Sequence, residues 1–299
     1  MEPRVQRPLR GIFWMAVTGL CFVMVTALVK LLHGRVPAAE AAFLRYLLGL
    51  VFLIPMWRDL RSANLSGRQI KLFGIRGFVH SLGVILWFFA MTRIPIAEVT
   101  AMNYLNPVYV TVLAVFFLGE KLAARRILAI VAALIGAFVI LRPGFRELDA
   151  GHFAMMGTAM LFAVSYLLAK IFADSVKPAV VVAMLSITVT IGLAPFAVAV
   201  WVTPGWWDIF ILFCVACFAT AGHFTMTLAF AEAPVSVTQP VTFLQLVWSV
   251  ALGALVFGEG IDIWVILGGT VIVAAVSFIS WREAVLRRRI TPQIHAPKV

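Results

Sequence analysis

Acidic side chains are missing from the places where they would carry chemistry. None of the 13 Asp and Glu residues falls near the middle of a long apolar run: Glu40, Glu98 and Glu259 stand at one set of run ends, and Glu120, Asp174 and Glu232 at the other. The chain has no His-Glu-x-x-His, no Gly-x-Ser-x-Gly and no cluster of His, Asp and Glu, the convergent groups that a membrane-embedded hydrolase or transferase needs. A filter loop or a ring of like charge is also lacking, which argues against a channel. Charge of either sign is scarce at 12%, against 63% hydrophobic residues and a mean hydropathy of +1.04, and that balance excludes a soluble domain of this length. The three cysteines, Cys21, Cys214 and Cys217, lie inside apolar runs. Cys214-x-x-Cys217 has no second ligand pair, so all three read as small packing residues, and no metal or cofactor is expected.

What is abundant is uninterrupted apolar sequence. Runs of the order needed to cross about 30 Å of hydrocarbon cover 11–29, 99–118, 151–169, 178–207, 209–231, 233–258 and 263–281. They are solid rather than alternating, which predicts helices and not barrel strands. The expected spans are 11–33, 39–57, 70–92, 96–118, 124–142, 151–173, 178–201, 206–231, 236–257 and 262–282, ten in all. The start, with Arg4, Arg7 and Arg10 before an apolar run and Pro37-Ala38-Ala39 after it, has the look of a signal peptide. The internal repeat described next argues that this first span is retained.

The net charge of +11 reads as topology, not as a nucleic-acid surface, because the basic residues sit between the apolar runs. Arg4, Arg7, Arg10, Arg58, Arg61, Arg68, Lys71, Lys121, Arg125, Arg126, Lys177 and the basic tail fall on one side of a ten-span layout. Only Arg35, Arg93, Arg142 and Arg146 fall on the other. Both termini are therefore expected in the cytoplasm, the chain lying in a bacterial inner membrane.

The segment 94–120 occurs twice. A shift of 139 lays 233–259 on it without a gap, setting Pro95 on Pro234, Leu105 on Leu244, Val108 on Val247, Gly119 on Gly258 and Glu120 on Glu259. A shift of 140 lays 151–172 on 11–32, with Lys30 on Lys170, and Pro55 on Pro195, while Gly83 meets Gly222 at 139. The chain is thus read as two homologous units, 11–142 and 151–283, followed by a basic tail, 284–299. Five spans per unit is an odd number, so the second unit enters the membrane from the opposite side. Inverted repeats of this kind mark many secondary transporters, with a midplane site between the copies.

The residues carry a family resemblance as well. Ile94-Pro-Ile-Ala-Glu-Val-Thr-Ala, then Phe117-Leu-Gly-Glu-Lys, the basic Arg125-Arg126 and a helix closing in Leu141-Arg-Pro-Gly resemble the EamA unit of the drug/metabolite transporter superfamily. Ala233-Pro-Val-Ser-Val-Thr and Phe257-Gly-Glu are a weaker second copy. The resemblance implies an all-α membrane protein, ten transmembrane helices as two inverted five-helix repeats around a central cavity, with spans 5 and 10 set to one side. Its length and aromatic content are most similar to the aromatic-amino-acid exporter branch. S-adenosylmethionine and vitamin carriers share the same unit.

Candidate site residues follow from polar positions inside the spans. Span 4 sets Thr100, Asn103, Tyr104, Pro107 and Thr111 on one helical face, and span 9 answers with Thr238, Thr242, Gln245 and Ser249. Such stripes either line a cavity or bond helix to helix. Pro107 is expected to kink span 4, as a hinge or as a tolerated membrane proline. In span 3, Arg76, His80, Gly83 and Trp87 share a face, where Arg76 would receive a carboxylate or snorkel outward, and Trp87 would stack on an aromatic or cationic group. Arg45, two turns inside span 2, is read as either a carboxylate receptor or the partner of Glu40 or Glu98. Lys30 and Lys170 end corresponding spans as gate residues or as snorkelling ends, with Asp174 near Lys170. Ala129, Ala133 and Ala137 of span 5 form a small-residue face for close packing or for a homodimer through span 5 or 10.

The resulting expectation is a secondary transporter for small metabolites, foremost neutral or aromatic amino acids, working by alternating access as an exporter or facilitative carrier. The alternative is uptake or exchange of S-adenosylmethionine, a nucleoside, a vitamin or an amphipathic drug. With no intramembrane acid, coupling is expected to be absent or linked to His80. A carrier that needs a strict proton gradient and keeps it after His80→Ala would defeat that linkage.

Overall fold

The computed structural model describes residues 8–118, 124–145, 147–172, 176–233 and 238–290, and every regular element among them is helical. In chain order these are α1 (Pro8–Lys30), α2 (Ala38–Gly49), α3 (Trp57–Arg61), α4 (Gly67–Met91), α5 (Ile96–Asn103), α6 (Asn106–Leu118), α7 (Ala124–Leu141), α8 (Ala150–Phe172), α9 (Pro178–Ala199), α10 (Trp206–Glu232), α11 (Phe243–Phe257) and α12 (Ile263–Ile290). Among the described residues, seven stretches are long and apolar enough to cross a membrane, beginning with Leu9–Lys30 and ending with Ile263–Arg282. Two shorter apolar helices, Ile127–Leu141 and Leu244–Phe257, accompany them. Large apolar side chains such as Phe138, Leu128, Phe210 and Leu255 stay exposed, as contact with lipid requires.

Four expected spans are not single helices or end elsewhere; among them span 9 opens in a 3-10 turn over Gln239–Thr242 before α11. Span 2 becomes α2, a 3-10 turn over Leu50–Met56 and α3, because Pro55 inside it cannot donate the helical bond. Span 4 divides at Tyr104 and Leu105, whose N–H groups donate to Ala101 and Met102 in tight turns. The second piece, α6, then starts at Asn106, directly before Pro107. Pro107 therefore sits in a first turn, where its missing N–H costs little. At the other end α12 continues to Ile290, so the segment read as a tail from 284 begins inside a helix; residues 291–299 lie outside the described residues. The start of α4 is secured by a capping box, Ser66 Oγ accepting from the Gln69 N–H and Gln69 Oε1 accepting from the Ser66 N–H at 2.9 Å.

Helix pairing crosses between the two sequence copies. α1 packs along α10 and α4 along α8, and the repeat equates α1 with α8 and α4 with α10. The first long helix of each copy thus lies on the third predicted span of the other. α7 packs along α12, and here the small-residue face is consumed: Ala133 is fully buried, with Ala129 and Ala137 nearly so. A Cβ on Gly136 would come within 2.7 Å of the Gly268 carbonyl oxygen and 2.8 Å of Ile272. Of the two readings of this face, close packing is the one found, since α12 of the same chain covers it. Gly136→Leu forces these backbones apart and is expected to cost about 1–3 kcal/mol, the usual range for overpacking, read as a lower midpoint for thermal unfolding in detergent.

Candidate binding cavity

A cavity of about 470 Å³ lies among α1, α2, α4, α8, α10, the α5–α6 junction, α11 and α12, within the range of roughly 300–1,000 Å³ typical of small-molecule sites. One wall is the break between α5 and α6, which presents Asn103, Tyr104, Asn106, Pro107 and Thr111. Opposite stand Thr242, at the end of a 3-10 turn over Gln239–Thr242, and Gln245, on the first turn of α11. Tyr104 Oη donates to the Thr242 carbonyl at 2.7 Å, tying the two walls. Of the sequence-derived stripes, Asn103, Tyr104, Pro107, Thr111, Thr242 and Gln245 line the cavity, whereas Thr100, Thr238 and Ser249 do not.

The third wall is aromatic and basic. His80 lines the cavity with one ring nitrogen 3.1 Å from Tyr46 Oη and the other 3.0 Å from Ser165 Oγ, its ring stacked on Phe162 at 4.6 Å. Phe162 fits there because Gly83 stands opposite: a Cβ on Gly83 would lie 2.8 Å from that ring. Trp87 meets Phe162 edge to face at 6.1 Å. Arg45 is 8% exposed, its guanidinium 4.0 Å over the Tyr46 ring. Tyr166, Phe22 and His223 complete this wall, His223 standing edge-on to Phe22 at 5.3 Å.

Polar atoms without partners concentrate here. Among the described residues, Arg45 Nε, Trp87 Nε1, Asn103 Oδ1 and Asn106 Oδ1 are buried with no hydrogen bond, and all four residues line this cavity. Buried polar groups are normally satisfied, and each exception costs about 1–3 kcal/mol. Both donors and acceptors are left over, which suits a bound molecule with polar edges.

Several sequence-derived candidates lie elsewhere. Thr100 is buried behind the cavity wall, its hydroxyl 2.6 Å from Ser249 Oγ, so this pair joins α5 to α11. Arg76 is 5% exposed, with a guanidinium nitrogen 3.4 Å from the Val181 carbonyl of α9, so it does not snorkel outward, and it does not line the cavity. Lys30 does not snorkel either, since it pairs with Glu259 and donates to the Ile94 carbonyl at 3.0 Å. The side chain of Lys170, together with Glu120 and Asp174, lies outside the described residues. Arg45 pairs with neither expected acid. Glu40 accepts from the Val202 N–H at 2.8 Å, and Glu98 lies 2.6 Å from His152 Nε2.

Sequence reasoning missed Tyr46, Phe162, Tyr166, Asn106 and the α12 side chains Val276, Ile279 and Ser280, all of which line the cavity. The last three correct the expectation that span 10 stands aside. Tyr46 had a signal in its position beside Arg45. The others are ordinary apolar or aromatic helix positions that only packing selects.

Comparison with known proteins agrees with this architecture. A solved crystal structure, 18% identical, superposes on 94% of this chain and 99% of its own with a TM-score of 0.63, a likeness of fold. A riboflavin transporter of Vibrio cholerae is 27% identical over 94% of this chain and 96% of its own. An S-adenosylmethionine uptake transporter of Rickettsia prowazekii is 24% identical over 95% and 96%, and the pseudopaline exporter CntI of Pseudomonas aeruginosa 25% identical over 89% and 94%. The model of the EamA-like transporter family matches residues 9–142 and again 149–281, almost the whole chain in two passes, so this multi-pass membrane protein belongs to the EamA-like transporter family.

Proposed function

We propose that this chain is a secondary carrier that moves a small metabolite with a flat aromatic ring system through the cavity by alternating access. The reading takes ten membrane spans, α5 and α6 counting as one, arranged as two inverted copies over 11–142 and 151–283. Both termini are cytoplasmic, in a bacterial inner membrane. The carrying observation is the cavity itself, where polar residues of both copies meet an aromatic wall and four orphaned polar atoms await partners.

At the end of the bundle where α1 finishes, Lys30 and Glu259 close α1 onto the link between α11 and α12. In the proposed topology this contact lies at the outer face. Both neutral or aromatic amino acids and larger heteroaromatic solutes suit the aromatic wall. The relatives favour the larger class, since riboflavin and S-adenosylmethionine each carry a fused heteroaromatic ring. Uptake and export both occur among the relatives' names, so direction follows the gradient in this proposal.

Counterflow in proteoliposomes loaded with riboflavin, S-adenosylmethionine, aromatic amino acids or nucleosides tests the reading. Saturable exchange of at least one aromatic solute, and no exchange of aliphatic amino acids of similar charge, is expected. Unsaturable flux would mean a channel, and silence across the whole panel would remove the carrier reading.

A further inference from the structure

Arg45 sets a charge problem that the described residues do not solve. It stands in α2 with 8% exposure and no carboxylate partner among the described residues, and its Nε has no hydrogen bond. An isolated cation at membrane depth costs several kcal/mol unless a counter-ion or water offsets it. The acids within reach on sequence grounds are turned elsewhere: Glu40 caps the Val202 N–H and Glu98 meets His152. Among the described residues, no Asp or Glu lines the cavity that Arg45 lines. The Tyr46 ring beneath the guanidinium holds its plane by cation–π contact at 4.0 Å, leaving the fork of N–H groups to meet a ligand.

We propose that the solute carried through this cavity bears a carboxylate, and that Arg45 is the group that receives it. The proposal rests on the carrier reading above and narrows its substrate class. A planar guanidinium matches a carboxylate with two parallel hydrogen bonds. Among the described residues that line the cavity there is one guanidinium and no lysine, which suits a single negative charge better than a phosphate dianion. With the carboxylate at Arg45, the ring system of the solute lies against Trp87 and Phe162, and its polar edges reach the orphaned carbonyl oxygens of Asn103 and Asn106.

The test uses the full chain in nanodiscs and matched probe pairs that differ only at the carboxylate: indole-3-acetate with indole-3-acetamide, tryptophan with tryptophanamide, nicotinate with nicotinamide. Binding is read from the thermal unfolding midpoint as each probe is titrated. At least one acid is expected to bind tenfold or more tighter than its amide. Arg45→Gln is expected to remove that difference, whereas Arg45→Lys, which guards against a variant that simply misfolds, keeps part of it. Equal binding of acid and amide, an acid preference that survives in Arg45→Gln, or no binding of any acid would each overturn the proposal. Counterflow separates the two readings. Amides exchanging as well as acids would leave the carrier standing without its anion selectivity, while Arg45-dependent binding with no exchange would remove the carrier and keep the anion site.

Discussion

Lys30→Ala and Glu259→Ala are each expected to lower counterflow by tenfold or more while changing solute binding less than threefold. Lys30 Nζ pairs with one oxygen of Glu259 and donates to the Ile94 carbonyl at 3.0 Å, and the other Glu259 oxygen accepts from the Ile96 N–H at 2.9 Å. One carboxylate thus joins the end of α1, the α11–α12 link and the first turn of α5, where the helix dipole favours negative charge. Glu259 reaches that position because Gly258 takes a left-handed turn, φ 63°, at the end of α11. Alternating access requires this end to part when the opposite end closes, so a contact made in only one of the two states biases the exchange by its own free energy. The double charge exchange, Lys30→Glu with Glu259→Lys, is expected to recover part of the activity only. The pair re-forms with reversed sign, but a Glu at position 30 cannot donate to Ile94 and a Lys at 259 cannot accept from Ile96. The repeat sets Lys170 on Lys30 and Glu120 on Glu259, and the same substitutions there are expected to give the same pattern. Single variants with undiminished counterflow would show that this contact is only structural.

Replacing His80 by Ala is expected to remove both solute binding and several degrees of thermal stability. His80 holds Tyr46 Oη at 3.1 Å and Ser165 Oγ at 3.0 Å and carries the stacked Phe162 ring. Its loss strands the fully buried Ser165 hydroxyl, at about 1–3 kcal/mol for an unsatisfied polar group, and opens space beside Phe162. The same loss releases Tyr46, on which Arg45 lies. Binding is therefore expected to fall tenfold or more even where His80 does not itself touch solute. His80→Gln, which can still bond one hydroxyl, is expected to recover stability before it recovers binding. Titrating a bound probe and following the unfolding midpoint on the same samples separates the two effects. If His80→Ala binds as the wild type does, the histidine supports only the helix contact.

The part of the cavity that was legible in the sequence is the part written as polar residues in apolar helices. Asn103, Tyr104, Thr111, Thr242 and Gln245 stood out because uncompensated polarity is expensive in lipid. The copy at a shift of 139 said that the two stripes belong together. Thr100 satisfies the same one-dimensional pattern but takes the helix-to-helix alternative, facing Ser249 rather than the cavity. Arg76 and Arg45 look alike in sequence, each a cation inside an apolar run. Which of them meets the cavity depends on the neighbours of α4 and α2, and α9 covers Arg76.

What the sequence alone determined is the membrane class, the helical content and the duplication, since hydropathy, solid apolar runs and a repeat shift are properties of the chain read along its length. The tertiary structure decided which polar residues face a common space and which seal it. It turned the small-residue face of α7 toward Gly268 of α12, brought Val276, Ile279 and Ser280 into the cavity, and bound Lys30 to an acid 229 positions away. Those outcomes rest on contacts between helices far apart in sequence, where the rotation of each helix about its axis is set by packing and not by its own hydropathy.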